Sequence, residues 1–367
     1  MLDARISLLR RFAAHGLPRA DDGPPEEVRD EDWPIVIDQL GGERLTGIAV
    51  AAARDGRLLL TELQARTLLD RHRESMLVAL ALERRLLEVA DAFAHEGIDL
   101  VVLKGPAMAH TFYPDPSWRN FGDLDLLVPT NRWERALRVV QEAGFTRDTP
   151  EPRPGFDVRF GKAATHTDAR GLVLDLHRTL AEAPFGMWLE PDRLFERTRT
   201  FTLGGVELRR LDDTAAFLHA CVHASLGSRQ LLLPLRDVGQ IATSGSVDWD
   251  VAARLVDRWR LRAVVRHSTE TLASKLGVEL PAPAQAIARG PVSKGELRAL
   301  EAFATSRRDS GGEAMAAIWG LPGVRPKAAY VRALVFPQRR FLDARGQRSY
   351  ASRWLIPLRW MSTKGRS

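Results

Sequence analysis

The sequence predicts an α/β protein whose central α/β core is flanked by a helical N-terminal part and a helical C-terminal part. Three observations carry that reading. Short apolar runs of strand length stand at 98–105, 121–129 and 172–180. The stretches before and after them space their apolar residues at helical intervals, and glycines mark the changes between patterns. A chain of 367 residues, 45% hydrophobic and 27% charged, has enough apolar material for two or three packed units. The expected divisions are 1–97 for the helical N-terminal region, 98–211 for the core and 212–367 for the helical C-terminal domain with its basic tail.

In chain order, MLDARISLLRRFAAHG forms a short amphipathic helix. Its arginines interrupt the apolar residues, so it lacks the continuous apolar centre of a secretory signal. LPRADDGPPEEVRDEDWP, from Leu17 to Pro34, is a flexible Pro- and acid-rich link expected to hold no regular element. From Leu60 to His95, apolar residues such as Leu68, Leu69, Met76, Leu80, Leu86 and Phe93 suit one or two long helices, stopped at Gly97. IDLVVLKG is a strand that turns at Gly105, and Pro106 opens a helix, where its missing N–H needs no partner. YPDPSWRN is loop, FGDLDLLVP a strand, and NRWERALRVVQEAGF a helix closed by Gly144. LVLDLHRTL begins as a strand, and GVELRRL around Val206 supplies another. The Asp-led LDDTAAFLHACVHASL opens a mostly helical remainder, broken at GSRQ, SGSVDWD, ELPAPAQ and GLPGVRP.

Charge and cysteine content narrow the setting. The 53 basic and 47 acidic residues leave a net +6, concentrated at the end, where Arg325 to Ser367 carries eleven Lys or Arg against one acid, Asp343. Such a tail either touches phosphates or an anionic membrane surface, or is a solvated helix face packed back through Trp354, Leu355, Leu358 and Trp360, the preferred reading. The single cysteine, Cys221, excludes an intramolecular disulfide framework and a Cys-rich zinc site, and suits a reducing cytoplasm. No transmembrane segment is expected, since no stretch of membrane-spanning length is free of charge.

The segment FGDLDLLVP places two aspartates among leucines. On a strand, Asp123 and Asp125 project to one face and Leu124 and Leu126 to the other. Two carboxylates so close repel each other unless a cation lies between them, and oxygen ligands converging from a strand suit Mg²⁺ or Mn²⁺. Asp175, the one acid inside the apolar run LVLDLH, is the natural third ligand from a neighbouring strand. Taken alone, the pair equally describes a strand end with two solvated acids. Gly122, which allows close backbone approach, the lysine turn LKGPAMAH, and Asp175 downstream weigh against that reading. At the lysine turn, free N–H groups of a helix opening at Gly105 and Pro106, with Lys104 beside them, make an anion site. An ordinary strand–turn–helix with a solvated lysine is the competing account of that stretch.

The series GIDLVVLKGPAMAHTFYPDPSWRNFGDLDLLVP, followed by LDLHRTL and FLHACVHAS, resembles the bacterial uncharacterised nucleotidyltransferase family of the DNA polymerase β-like nucleotidyltransferase superfamily. The resemblance implies a small mixed sheet flanked by helices, with metal-binding acids matching Asp123, Asp125 and Asp175. It implies two Mg²⁺ ions holding a nucleoside triphosphate, with Asp175 helping to activate an acceptor hydroxyl that attacks the α-phosphate and releases pyrophosphate. Lys104 and the Gly105 turn would bind phosphate, and Arg119 would neutralise charge developing in the transition state. The chain departs from the wider superfamily in its phosphate turn. Lys104-Gly105-Pro106 stands where a Gly-Ser or Gly-Gly nest is usual, and proline removes one N–H donor.

Other residues are candidates for the substrate cleft. His219 and His223 stand one helical turn apart in HACVH, without the glutamate of a zinc-protease motif, and suit a packing or substrate-facing helix side better than zinc. His177 shares the strand face of Asp175 and either orients a ligand or is a satisfied histidine at a strand end. Arg236 and Asp237 form either a pair lining the cleft or a structural salt bridge. A nucleophile elbow, a Walker A loop and a dinucleotide glycine fingerprint are all missing from the sequence. The expectation is a cytoplasmic, Mg²⁺- or Mn²⁺-dependent nucleotidyltransferase that uses a nucleoside triphosphate, ATP by default, and a small-molecule or peptide acceptor. Phosphoryl transfer at the same site and non-catalytic nucleotide binding are the alternatives. Nucleic acid is not expected as a partner, because the tail contains no recognised module.

Overall fold

The computed structural model describes residues 2–18, 24–227, 232–306 and 311–346. Its N-terminal part consists of α1 (Leu2–Ala14), β1 (Glu26–Glu27), α2 (Trp33–Gly42), α3 (Thr46–Arg54), β2 (Leu58–Leu59) and α4 (Glu62–His95). The periodic stretch that suited one or two helices is thus a single helix of 34 residues. It starts at a capping box, in which Thr61 Oγ1 accepts from Gln64 N at 3.3 Å and Gln64 Oε1 accepts from Thr61 N at 3.2 Å. The same glutamine, buried, donates from Nε2 to the Val28 carbonyl and to Asp30 Oδ1, both at 2.8 Å.

Those bonds correct the expectation that 17–34 holds no regular element. Glu26–Glu27 pairs in parallel with Leu58–Leu59, Gln64 anchors the residues that follow, and α2 begins at Trp33 with Pro34 in its first turn. Composition favours a loop here, but pairing partners further along the chain fix part of the segment. Residues 19–23 lie outside the described residues.

The core comprises β3 (Val101–Val102), α5 (Pro106–Phe112), β4 (Asp123–Leu127), α6 (Trp133–Glu142), β5 (Phe145–Arg147), α7 (Phe156–Phe160), β6 (Ala163–Asp168), β7 (Val173–His177), α8 (Phe185–Trp188), β8 (Thr198–Leu203) and β9 (Val206–Leu211). Seven of these strands form one mixed sheet in the order β5-β6-β7-β4-β3-β9-β8. β4 runs parallel to β7 and antiparallel to β3, which runs parallel to β9. The α/β architecture with a mixed sheet is therefore as expected.

Alternation decides which side of the sheet is apolar. Leu124 and Leu126 stand opposite Leu174 and Leu176, all four fully buried against Leu82, Leu86, Val89 and Phe93 of α4 and Trp133, Ala136 and Val140 of α6. Removing such a leucine side chain costs roughly 2–5 kcal/mol. The aspartates, at the intervening positions, take the other side. The loop between α5 and β4 holds a short 3₁₀ turn, Pro116–Trp118, against which α3 is pressed. A Cβ on Gly47 would run into the Ser117 carbonyl, so glycine is what allows α3 this close.

The C-terminal part is helical: α9 (Asp213–Leu226), α10 (Leu232–Ala242), α11 (Trp249–Arg258), α12 (Arg262–Leu276), α13 (Ala282–Arg289), α14 (Lys294–Ser306), α15 (Gly311–Gly320), α16 (Val324–Val335) and α17 (Arg339–Ala344). Asp212 caps α9 by accepting from Ala215 N at 2.8 Å. A second apolar cluster packs α1, α3, α9, α10 and α12 together, with Val101, Leu103 and Leu127 of the core. Among the described residues no helix is long and apolar enough to cross a membrane. The proposed packing of the tail through Trp354, Leu355, Leu358 and Trp360 lies outside the described residues.

Candidate active site

Because β4 and β7 run parallel in register, Asp125 stands opposite Asp175 and Leu127 opposite His177. Asp123, Asp125, Asp175 and His177 therefore share one side of the sheet. Asp125 is 2% exposed, and its Oδ1 accepts from Lys104 Nζ at 2.9 Å and lies 2.9 Å from His177 Nε2. Burial pushes this carboxyl up, but Lys104 and His177 outweigh it and hold the group well below the usual carboxylate range. Asp125 is therefore ionised. Asp175 Oδ1 accepts from Thr165 Oγ1 at 2.6 Å, the residue directly across the β6–β7 pairing.

One ligand atom from each of Asp125, Asp175 and His177 lies within 4.8 Å of the others, a grouping able to hold a metal ion. The histidine's surroundings fit that role. Its Nδ1 lies 3.2 Å from the Thr179 carbonyl, which can only accept, so Nδ1 carries a proton. Nε2 faces the Asp125 carboxylate. Two electron-rich atoms at 2.9 Å require a proton or a cation between them, and a backbone carbonyl fixing the far nitrogen is how metal-binding imidazoles are held. Two carboxylates and one imidazole form a mixed oxygen and nitrogen donor set for a divalent cation. Asp123 stands outside this group of three and on the rim.

The cleft over Asp123 and Asp125 has a volume of about 270 Å³, and its lining also includes Arg44, Lys104, Gly105, Arg119 and His223 but neither Asp175 nor His177. Arg44 comes from the connection between α2 and α3, and its Nη1 lies 3.4 Å from Asp123 Oδ1. Nothing in the local sequence flags it, since its approach depends on a backbone turn and on α3 docking at Gly47. Gly105 has φ 50° and ψ −116°, a conformation essentially reserved for glycine, and forms the cap of α5. Gly122 is under weaker constraint: a Cβ there would meet only the Arg44 guanidinium, at an ordinary 3.5 Å.

The remaining sequence candidates separate into two groups. Arg119 is buried and forks onto Asp237 of α10, with Nε at 2.9 Å from Oδ1 and Nη2 at 2.8 Å from Oδ2. Tyr113 donates to the same Oδ1 at 2.7 Å, and Arg119 Nη1 stands 3.5 Å from the Gly105 carbonyl. Arg236 and Asp237 do not pair with each other, a correction to the sequence reading. Adjacent helical residues point away from one another, and the Arg236 guanidinium turns to the Ala13 and His15 carbonyls, at 2.8 and 2.6 Å, and to Gln240. It thereby ties α1 to α10.

His219 is buried on α9, and His223 lies one turn further at the cleft wall. Burial, reinforced by the Lys104 charge, pushes both well below the usual histidine range, so both rings are neutral at neutral pH. Among the described residues they do not join the metal-binding grouping.

Residues 29–277 match the model of a protein family described as uncharacterised nucleotidyltransferase. None of the curated proteins matches the chain. Among solved structures, a chain described as an antigenic nucleotidyltransferase-like protein from Paracoccidioides brasiliensis matches at 16% identity, over 55% of this chain and 95% of that one, with a TM-score of 0.30.

Proposed function

The chain belongs to the uncharacterised nucleotidyltransferase family, and from that premise we propose that it moves a nucleoside monophosphate from a nucleoside triphosphate to a hydroxyl of a small-molecule or peptide acceptor. The observation that carries the proposal is the convergence of Asp125, Asp175 and His177 on one side of two parallel strands, with Asp123 at the rim. Asp125, Asp175 and His177 would hold Mg²⁺ or Mn²⁺, with Asp123 toward the incoming triphosphate. The metal, when bound, neutralises phosphate oxygens and lowers the pKa of a coordinated hydroxyl.

The chain's own groups have separate tasks. Asp175, held by Thr165 and half-buried, accepts the acceptor's hydroxyl proton. The freed oxygen bonds to the α-phosphorus, the bond to the β-phosphate bridge breaks, and pyrophosphate leaves with that electron pair. Arg44, at the mouth, meets the triphosphate as a cation. Lys104, displaced from Asp125, turns to the leaving phosphates. Arg119, committed to Asp237, contributes its charge while fixing the Gly105 turn.

In this reading 1–97 supplies Arg44, 98–211 the acidic centre, and 212–367 the helical wall that carries His223 and Asp237. A single buried cysteine without a disulfide partner supports a cytoplasmic setting. The test is label position. Incubated with Mg²⁺, ATP and acceptor fractions from a cell extract, the protein should transfer label from the α-phosphate and release pyrophosphate. Transfer from the γ-phosphate would replace this with phosphoryl transfer, and nucleotide binding without transfer to any fraction would reduce it to a binding role.

A further inference from the structure

Among the described residues, two that are not glycine have a left-handed backbone, Arg44 at φ 59° and Arg260 at φ 52°. Each follows the end of a helix, and in each case the next N–H reaches back into that helix: Leu45 N to the Leu40 carbonyl at 2.8 Å, and Leu261 N to the Val256 carbonyl at 2.9 Å. Glycine usually fills this position, because a Cβ is strained there. An arginine accepts that strain, which directs attention to what its side chain reaches. Arg44 reaches the acidic cleft. Arg260 reaches a different pocket.

That pocket has a volume of about 610 Å³, within the range of small-molecule sites, and lies where α14, α15 and α16 meet the loop after β7. Three cations line it: Arg260, Arg298 and Lys327. No carboxylate is among its described lining residues, and it shares none of them with the acidic cleft. Glu296, on the same helix as Arg298, is buried and engaged elsewhere, accepting from Arg262 N at 2.8 Å and from Ser293 Oγ at 2.7 Å. Like charges around one cavity repel, and an anion between them removes the repulsion.

The pocket also presents flat apolar surface. Trp188 is fixed by the edge of Phe185, with ring centroids 5.2 Å apart, and by the Arg260 guanidinium 5.4 Å over its ring. Trp319, on the facing helix α15, is 47% exposed. A Cβ on Gly320 would run into the Pro184 ring, so α15 closes on the start of α8, which carries Trp188.

We propose that this pocket is a second site, separate from the acidic cleft, for a small aryl or heterocyclic phosphate. The phosphate lies among Arg260, Arg298 and Lys327, where guanidinium forks suit its oxygens, and the ring lies against Trp188 and Trp319. The volume of the cavity suits a small molecule.

The experiment titrates phenyl phosphate into the full chain by calorimetry, with EDTA present so that no metal bridges a phosphate to the acidic cleft. Saturable binding is expected, with inorganic phosphate weaker and phenol weaker still. Arg260→Gly removes the guanidinium while relieving the left-handed backbone, so the variant should melt no lower than wild type and bind at least about 10-fold more weakly. Lys327→Met, a half-buried surface change, should weaken binding similarly, and Asp125→Asn should leave it unaltered. Should Arg260→Gly melt lower than wild type, Lys327→Met carries the comparison. Unchanged affinity in these cation variants overturns the proposal. So does loss of binding in Asp125→Asn, or a chain that ignores phenyl phosphate yet binds RNA with a steep salt dependence.

Discussion

Lys104 Nζ and Asp125 Oδ1 lie 2.9 Å apart, at the same carboxylate oxygen that His177 Nε2 approaches at 2.9 Å. The lysine thus balances a buried charge at the very atom a metal would bind. Removing one partner of such a pair leaves the other uncompensated, so Lys104→Met should destabilise the protein by about 3 kcal/mol in urea with EDTA present. The double variant Lys104→Met with Asp125→Asn should recover at least about half of that loss. Additive effects of the two substitutions would show that the pair is not coupled.

The Arg119–Asp237 fork joins the loop before β4 to α10 and is almost fully buried. Arg119→Met is expected to cost roughly 3–5 kcal/mol, because the buried Asp237 carboxyl would be left with only Tyr113 as donor. Tyr113→Phe should cost about 1–2 kcal/mol. Chemical denaturation of the two variants checks the ranking, which a structural role for Tyr113 alone would reverse.

Acid should unfold the protein earlier than carboxylate protonation alone requires. Burial pushes His72, His166, His219 and His223 below the usual histidine range in the folded chain. Unfolded, they titrate near about pH 6.5. As pH falls from there toward the lowered folded values, the unfolded chain binds protons that the folded one does not, so stability drops over that interval. Melting temperature measured from pH 8 to 5 should fall below about 6.5. His219→Gln should flatten that slope; an unchanged slope would assign the effect elsewhere.

Cys221 should be unreactive in the folded protein. Burial pushes its thiol up to about 12, only partly offset by the Ser268 hydroxyl. Ellman's reagent is expected to find no thiol at pH 8 in buffer and one per chain in urea. Rapid reaction in buffer would contradict the burial.

How much of this was legible in the sequence follows from the range of each interaction. Asp123, Asp125 and Asp175 stood out because a two-residue period is local and the surrounding leucines made the acids conspicuous. β5, β6 and β8 did not, being short or polar strands such as AATHTD and TRTFTL, whose pairing is settled by neighbours. Arg236 and Asp237 were visible as charges, but their partners lie on α1 and before β4, far along the chain. Arg44 carried no signal at all. Its place in the cleft comes from a left-handed turn and from Gly47 letting α3 dock. Short-range periodicity, then, marks the acidic centre and the lysine turn beside it, while Arg44 is set there by tertiary packing.

The most direct test of the central claim is Mn²⁺ binding, followed by electron paramagnetic resonance, in the wild type and in Asp125→Asn, Asp175→Asn and His177→Gln. The account expects saturable binding by the wild type, a loss of at least about 10-fold in affinity in each variant, and tighter binding when ATP is added to the wild type alone. Equal Mn²⁺ affinity in all four proteins would contradict it, and would leave Asp125, Asp175 and His177 as a buried polar cluster and not a metal centre.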